Sequence, residues 1–253
     1  MNISQKIHIF DDKESLCAFA LKRWQEALRQ AVLRNGRFTV ALSGGKTPVG
    51  FYQRLAKQPG LPWSQTHLFW VDERCIDSSS EESNYRLIRK IIINRISIPP
   101  ENIHLIDAGK GKPRDAAKKY EEHLNDFFLL ERGELPEFDL MILGIGEDGH
   151  TASLFPGDLI DPYDHFVIPV SLPHLKCKRV SLTLSALNGA REVIFLVTGE
   201  NKAAILKTII EDKSRLPAAL VQPENGNLFF LSDRQAARLL KKESPRRKRN
   251  KKK

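Results

Sequence analysis

Short apolar runs alternate with amphipathic stretches along most of this chain, and that alternation limits the fold more than any other feature. Runs of strand length fit doubly buried strands, and the stretches between them fit helices packed on a sheet. The predicted strands span residues 38–42, 68–71, 103–106, 140–143, 166–170, 180–184, 193–197 and 228–231. The predicted helices span residues 14–34, 49–57, 85–95, 114–131, 202–210 and 234–241. This order predicts an α/β fold with a largely parallel, Rossmann-like open sheet flanked by helices.

The positive charge is concentrated at the carboxyl end. Residues 241–253 hold nine Lys or Arg and one acid, so they contribute +8 of the formal net charge of +9 and leave about +1 for the rest. We expect one catalytic domain over residues 1–242 and a basic tail over residues 243–253 that cannot build a core. The tail predicts at most weak, salt-sensitive binding of nucleic acid or another polyanion, because no aromatic residues interleave its charges.

Hydropathy and cysteine content restrict the class of protein. No apolar run approaches the roughly 18 residues of a membrane helix, so no membrane partner is expected. The amino terminus lacks the charged and apolar regions of a secretory signal. Cys17, Cys75 and Cys177 are odd in number and far apart, without metal-binding or disulfide spacing. The sequence therefore predicts a soluble cytoplasmic protein with reduced thiols, and it gives no oligomeric state.

Residues 39–48, TVALSGGKTP, predict a phosphate-binding turn between a strand and a helix. Gly44 and Gly45 after Ser43 allow close backbone approach, and Thr47 is expected to cap a helix that starts at its following proline. Free N–H groups and the helix dipole would attract an anion there. An ATP-binding loop is excluded, since that motif requires glycine where this chain has valine. A tight strand-to-helix turn that binds no ligand would have the same sequence pattern.

Residues 139–157, DLMILGIGEDGHTASLFPG, supply the candidate catalytic group. His150 follows a buried strand in a glycine-rich loop, where a histidine beside Asp148 fits a general base. Dinucleotide binding is disfavoured, since Glu147 and Asp148 would repel a pyrophosphate. A metal site lacks a third ligand at a known spacing, and Ser153 lacks the setting of a nucleophilic serine.

Two further segments carry candidate binding groups. Asp72 and Arg74 follow the strand at residues 68–71, at the same sheet edge, where Arg74 fits an oxyanion or carboxylate partner. Arg179 begins a later strand, and Lys202 lies in the predicted first turn of a helix, where a cation is unfavourable unless an anion is bound. Each of these charges is also typical of an ordinary solvated surface.

Five segments together resemble the glucosamine-6-phosphate isomerase/6-phosphogluconolactonase family. They are SGGKTP, VDER with SNY, GIGEDGHTASLFPG, KRVSLTLSALNGAREVIFLVTGENKA and LPAALVQP, and the likeness runs from about residue 7 to residue 240. The resemblance implies a fold similar to glucosamine-6-phosphate deaminases and ribose-5-phosphate isomerases. It implies hydrolysis of 6-phosphogluconolactone to 6-phosphogluconate, the second step of the oxidative pentose phosphate pathway.

The resemblance also implies roles for individual residues. His150 would be the general base that activates water, Asp148 would lie beside it, and Arg74 would stabilise the attacked lactone. The substrate and its phosphate would be held by Ser43, Gly44, Gly45, Thr47, Asp72, Arg179 and Lys202. No metal or organic cofactor is implied.

A deaminase-type isomerase is the alternative enzyme within this resemblance. Similar deaminases carry a glutamate five residues after the histidine, where this chain has Phe155. They also commonly carry a tyrosine where this chain has Arg74. Both differences favour the lactonase.

Overall fold

The computed structural model describes residues 4–109, 111–157, 165–212 and 214–241. Ten strands occur in these segments: β1 Ser4–Phe10, β2 Phe38–Leu42, β3 Thr66–Trp70, β4 Asp72–Arg74, β5 Ile103–His104, β6 Leu140–Leu143, β7 Val167–Val170, β8 Arg179–Leu182, β9 Glu192–Val197 and β10 Asn227–Asp233. Seven α-helices occur in them: α1 Lys13–Asn35, α2 Val49–Lys57, α3 Asn84–Ile91, α4 Pro113–Phe128, α5 Leu184–Asn188, α6 Ala203–Glu211 and α7 Pro217–Leu220. The predicted basic tail lies outside the described residues.

Seven strands form one parallel sheet in the order β1-β10-β9-β6-β2-β3-β5. The prediction of a largely parallel sheet is confirmed. The other three strands form a small antiparallel sheet in the order β4-β8-β7. Within the described segments, no helix is long and apolar enough to span a membrane.

The core lies along the central strands and the helix α1. Every residue of β2, β6 and β9 is buried, as expected for a parallel sheet covered on both faces. Trp24 of α1 is fully buried, with its ring 5.2 Å from Phe38 of β2 and 6.1 Å from Phe51 of α2. Each such apolar side chain contributes about 1.5–3 kcal/mol through burial. These contacts fix the strands whose carboxyl ends carry the candidate site.

Among the described elements, β1, β4, α5 and α7 were not predicted, and one predicted helix does not form. The strand β1 was not predicted, because it is an edge strand whose Ile7 and Ile9 remain exposed. The helix predicted at residues 234–241 is wrong, since this segment forms turns that bury Ala236 and Ala237. The apolar spacing that suggested a helix is satisfied by these turns.

Four adjacent strands of the large sheet bring their carboxyl ends to one edge. The strands β9, β6, β2 and β3 are neighbours in that order and all run in the same direction. The loops that follow them are therefore neighbours in space, although they are far apart in the sequence. This edge is where parallel α/β sheets bind their ligands.

Candidate active site

A cavity of about 770 Å³ lies at this edge of the sheet. Its wall is built from the loops after β2, β6 and β9, together with residues of β4, α3 and β8. Of the residues predicted for the site, those that line it are Ser43, Gly44, Gly45, Thr47, Asp72, Arg74, His150, Arg179 and Lys202. The fold thus brings all the predicted groups to one place, and Asp148, which does not line the cavity itself, is bonded to His150.

His150 and Asp148 form a hydrogen-bonded pair at the cavity wall. The imidazole Nδ1 lies 2.6 Å from Asp148 Oδ1, and the backbone N–H of His150 donates to the same oxygen at 3.1 Å. A carboxylate that accepts the Nδ1 proton selects the tautomer in which Nε2 can act as a base. Partial burial raises the pKa of Asp148, but the hydrogen bonds and charge of His150 outweigh it and lower this pKa. Asp148 therefore stays ionised behind the imidazole.

The backbone of the catalytic loop has no room for side chains at two glycines. A Cβ atom on Gly146 would lie 2.0 Å from His150 Nδ1 and 2.4 Å from Asp148 Oδ1. The N–H of Gly146 donates to the carbonyl of His150 at 2.8 Å, which closes the loop. Gly149 adopts a φ of +87°, and a Cβ there would lie 2.8 Å from a carbon of Leu216. The loop geometry that presents the imidazole thus depends on glycine.

Phe155 packs against the imidazole of His150. The ring centroids of Phe155 and His150 are 4.7 Å apart, and the Arg179 guanidinium lies 5.4 Å from the Phe155 centroid. The edge of the His174 ring approaches the same phenyl group at 5.5 Å between centroids. An apolar ring, not a carboxylate, therefore borders His150 on this side.

The loop after β2 presents unpaired polar groups to the cavity. Ser43 Oγ is buried and has no hydrogen-bond partner within the described part of the chain. Among those same residues, the N–H groups of Gly44, Gly45 and Lys46 donate no hydrogen bond to the protein. Tyr52 holds the loop from below, because its hydroxyl donates to the carbonyl of Ser43 at 2.8 Å. Such a set of free donors fits an anion.

The predicted capping role of Thr47 is wrong. The helix α2 begins at Val49, and Pro48 takes the cap position with a helical φ of −76° and no side-chain capping bond. Because Pro48 and not Thr47 takes the cap position, the helix starts one residue later than a threonine cap would place it. Thr47 lines the cavity and thus faces a possible ligand.

Arg74 and Asp72 lie on β4 with their side chains engaged by the protein. The Arg74 guanidinium donates to the carbonyl of Glu82 at 2.8 Å and to Asn84 Oδ1 at 2.5 Å. Asp72 is buried, and its two carboxylate oxygens accept from Ser153 Oγ at 2.6 Å and Asn84 Nδ2 at 3.0 Å. Asp72 lines the cavity, but these bonds tie it to the catalytic loop and to α3.

Arg179 and Lys202 approach the cavity from β8 and from the start of α6. Arg179 Nη1 donates weakly to Ser153 Oγ at 3.4 Å, and its buried Nε has no partner within residues that the structure describes. Lys202 does not lie within α6 as predicted, but at the residue just before it. Neither cation forms an ion pair within the described part, so both charges are available to a ligand.

Sequence reasoning left three polar residues near the site unassigned. Asn84 and Glu147 line the cavity, whereas Glu73 does not. Glu147 accepts from Asn201 Nδ2 at 2.6 Å, a bond that joins the catalytic loop to the loop after β9. The SNY segment contained the signal for Asn84, but only the fold shows which groups its amide meets.

Comparison with known proteins decides the family. The family model described as glucosamine-6-phosphate isomerases/6-phosphogluconolactonase matches residues 11–230. The chain belongs to this family. The resemblance drawn from the five segments is thereby confirmed, and members of the family are similar to the chain along nearly its whole length.

Individual relatives agree with this family assignment. The 6-phosphogluconolactonase of Synechocystis is 36% identical over 242 residues, which cover 94% of this chain and 100% of the relative. The crystal structure of 6-phosphogluconolactonase from Thermotoga maritima has a TM-score of 0.79 at 31% identity and covers 90% of this chain and 100% of that one. A monomeric glucosamine-6-phosphate deaminase is 18% identical with a TM-score of 0.78 over 92% of this chain and 99% of that one, which shows a shared fold.

Proposed function

We propose that this family member hydrolyses 6-phospho-D-glucono-1,5-lactone to 6-phospho-D-gluconate, the second step of the oxidative pentose phosphate pathway. The observation that carries the proposal is the His150–Asp148 pair at the wall of a cavity whose cationic lining includes Arg74, Arg179 and Lys202. A base and a set of cations are what attack by water on a phosphorylated lactone requires. The 6-phosphogluconolactonases among the relatives support the same substrate.

In the proposed reaction, His150 Nε2 removes a proton from the water molecule that attacks C1 of the lactone. The new bond converts C1 to a tetrahedral centre, and its carbonyl oxygen becomes an oxyanion that Arg74 stabilises. The bond from C1 to the ring oxygen then breaks, and His150 returns the proton to that oxygen. Asp148 stabilises the imidazolium between the two transfers. The product is the open-chain carboxylic acid, which ionises to 6-phosphogluconate.

The phosphate is proposed to lie at the other end of the substrate. Its supports are Ser43 Oγ and the free N–H groups of Gly44 and Gly45, with the Thr47 side chain beside them. Arg179 and Lys202 would add positive charge. Asp72 would contact the substrate at the same wall of the cavity. Binding energy from the phosphate would orient C1 toward the water, so a lactone without phosphate should react more slowly. The mechanism uses only protein side chains, without a metal ion or organic cofactor.

The experiment that tests the proposal is stopped-flow loss of freshly generated 6-phosphogluconolactone, measured against its spontaneous hydrolysis. We expect the wild type to accelerate the loss and His150→Ala to lower kcat by about 10²- to 10⁴-fold. His165→Ala is the matched control, because His165 is mostly exposed and pairs with Glu121 away from the cavity. A wild-type rate equal to the background would refute the function, and glucosamine 6-phosphate would then be the substrate to test.

The remaining expectations from the sequence stay part of this proposal. We propose that residues 1–242 form one catalytic domain and that residues 243–253 attract polyanions weakly and with strong salt dependence. We also propose a cytoplasmic location. The unpaired state of Cys17, Cys75 and Cys177 is consistent with it, since stable disulfides are rare in that compartment.

A further inference from the structure

Asn84 is a buried amide at the junction of three segments of the candidate site. It is the first residue of α3, and only 1% of its surface is exposed. It borders the catalytic cavity together with Gly44 and Arg74. A polar side chain this deeply buried requires hydrogen-bond partners, and those partners indicate what it does.

The hydrogen bonds of Asn84 leave its amide one orientation. The Nδ2 group donates to the backbone carbonyl of Asp72 at 2.9 Å and to its Oδ1 at 3.0 Å. The Oδ1 atom accepts from the Arg74 guanidinium at 2.5 Å. Because the two acceptors on Asp72 need the NH₂ group, the carbonyl oxygen must face Arg74. The amide, held by its two bonds to Asp72, thus fixes where the Arg74 guanidinium lies.

Asn84 also connects Arg74 to the loops after β2 and β6. A Cβ atom on Gly44 would lie 1.8 Å from Asn84 Oδ1, so the backbone of the anion-binding loop packs directly on this amide. On the other side, Asp72 accepts from Ser153 Oγ at 2.6 Å, and Ser153 follows His150 by three residues in the catalytic loop. The chain of contacts therefore runs from the anion-binding loop through Asn84 and Asp72 to the loop of the base.

Glu73 holds Asn84 in place through the backbone. The Glu73 carboxylate is buried and accepts from the N–H groups of Asn84 at 2.9 Å and Tyr85 at 2.7 Å. It also accepts from Ser83 Oγ at 3.1 Å and from the N–H of Arg74 at 2.7 Å. One carboxylate thereby fixes the start of α3 to β4, the two elements that carry the amide and the guanidinium.

From these contacts we infer that Asn84 is a positioning residue for the hydrolysis, which it serves by orienting the guanidinium of Arg74 toward the developing oxyanion. The inference rests on the proposed function. Both hydrogens of the Asn84 NH₂ group go to Asp72 and the oxygen accepts from Arg74, so the amide acts on the reaction through Arg74. A stabilising group gains its effect from being held where charge develops, and this bond holds it there.

The first test is a double-mutant cycle between Asn84→Ala and Arg74→Ala, measured as lactone hydrolysis above background. We expect Arg74→Ala to lower kcat by about 10²- to 10³-fold and Asn84→Ala by about 10- to 100-fold, with KM changed less than kcat. In the Arg74→Ala protein, the further loss on adding Asn84→Ala should be less than about threefold. Equal losses from Asn84→Ala in both backgrounds would overturn the inference, since a purely structural residue gives that result.

The second test is the pH profile of Asn84→Asp. This isosteric variant places a carboxylate oxygen 3.0 Å from Asp72 Oδ1, and repulsion between the two carboxylates favours uptake of a shared proton as the pH falls. The ratio of variant to wild-type kcat should therefore rise as the pH falls from 8 to 6, whereas the ratio for Asn84→Ala should stay constant. A constant ratio for Asn84→Asp would contradict the inference. A wild type no faster than background would instead remove the proposed function, and this inference with it.

Discussion

At the scale of single residues, the geometry of the His150–Asp148 pair depends on the absence of a side chain at position 146. Gly146 has no side chain, and its neighbours His150 and Asp148 occupy the space where a Cβ atom would lie. Real Cβ atoms do not approach other atoms to 2 Å, so any side chain must displace the imidazole or the carboxylate. The orientation of the His150 imidazole therefore depends on a glycine at position 146.

Gly146→Ala should consequently reduce lactone hydrolysis nearly as far as His150→Ala, by about 10²-fold or more, with the fold retained. The displaced imidazole would lose its 2.6 Å bond to Asp148 and no longer point Nε2 at the cavity. Gly144→Ala is the matched control in the same loop, because a Cβ there meets no atom within 4 Å. Stopped-flow rates and thermal unfolding of both variants check this, and an active Gly146→Ala enzyme would contradict it.

At the scale of elements, one buried carboxylate joins β6, β2 and α1. Asp139, just before β6, accepts from the N–H of Thr39 at 2.8 Å and from its hydroxyl at 2.9 Å, and it pairs with Arg34 near the end of α1. Only 5% of Asp139 is exposed. Its loss would leave buried donors without an acceptor, which is costlier than the loss of a surface ion pair.

Asp139→Ala should therefore lower the free energy of unfolding by about 2–4 kcal/mol. Glu26→Ala removes the partner of Arg29 from the same helix, but this pair is exposed and screened by solvent, so its loss should cost much less than the loss of Asp139. Urea unfolding at neutral pH compares the two variants with the wild type. Equal decreases in unfolding free energy for the two variants would show that the buried Asp139 contacts contribute no more than a surface ion pair.

A second feature at this scale is a chain of three hydrogen-bonded histidines on β3, on the edge strand β5 and on α4. His104 bonds to His67 at 3.0 Å and to His123 at 2.7 Å, and its ring stacks on Phe69 at 4.2 Å between centroids. Burial, aided by the positive charges around it, lowers the pKa of His104 from 6.5 to about 3. The unfolded chain thus binds this proton at a higher pH than the folded chain, so stability is lost as the pH falls through this window.

His104→Gln should make the protein less sensitive to acid. Glutamine does not titrate, so the decrease in unfolding free energy between pH 7 and pH 5 should be smaller than in the wild type. His174→Gln is the control, because His174 is exposed. Urea unfolding at both pH values measures the change, and an equal pH dependence in His104→Gln and wild type would contradict the assignment to His104.

The same elements show what the sequence could predict. The strands at residues 38–42 and 140–143 were predicted with their observed bounds, because a doubly buried run is a local pattern. The side sheet of β4, β8 and β7 was not predicted, since antiparallel pairing across distant segments leaves no local periodicity. For the site, residue chemistry and spacing were sufficient to single out His150. The contacts of Asn84 were not predictable, as they exist only once α3 packs on β4.

At the scale of the whole molecule, the cavity lies at the carboxyl ends of adjacent parallel strands, and the loops after β2, β6 and β9 supply its wall. The loop after β2 and the start of α6 are neighbours only in the folded chain. A ligand that contacts both would therefore raise the free energy of unfolding. Binding to the folded state alone at about 100 times Kd adds about 2.7 kcal/mol to the unfolding free energy. For a domain of this size, that corresponds to a rise in Tm of about 5–10 °C.

6-Phosphogluconate, the proposed product, should produce this rise, and gluconate at the same concentration should produce far less, because it lacks the anion that the free donors and cations would hold. Lys202→Ala should weaken the effect of the product. Lys207→Ala, within α6 and away from the cavity, should leave it unchanged. Differential scanning calorimetry measures all four cases. Equal shifts from gluconate and 6-phosphogluconate would mean that phosphate is not held at this end of the cavity, even if the protein proves to be a lactonase.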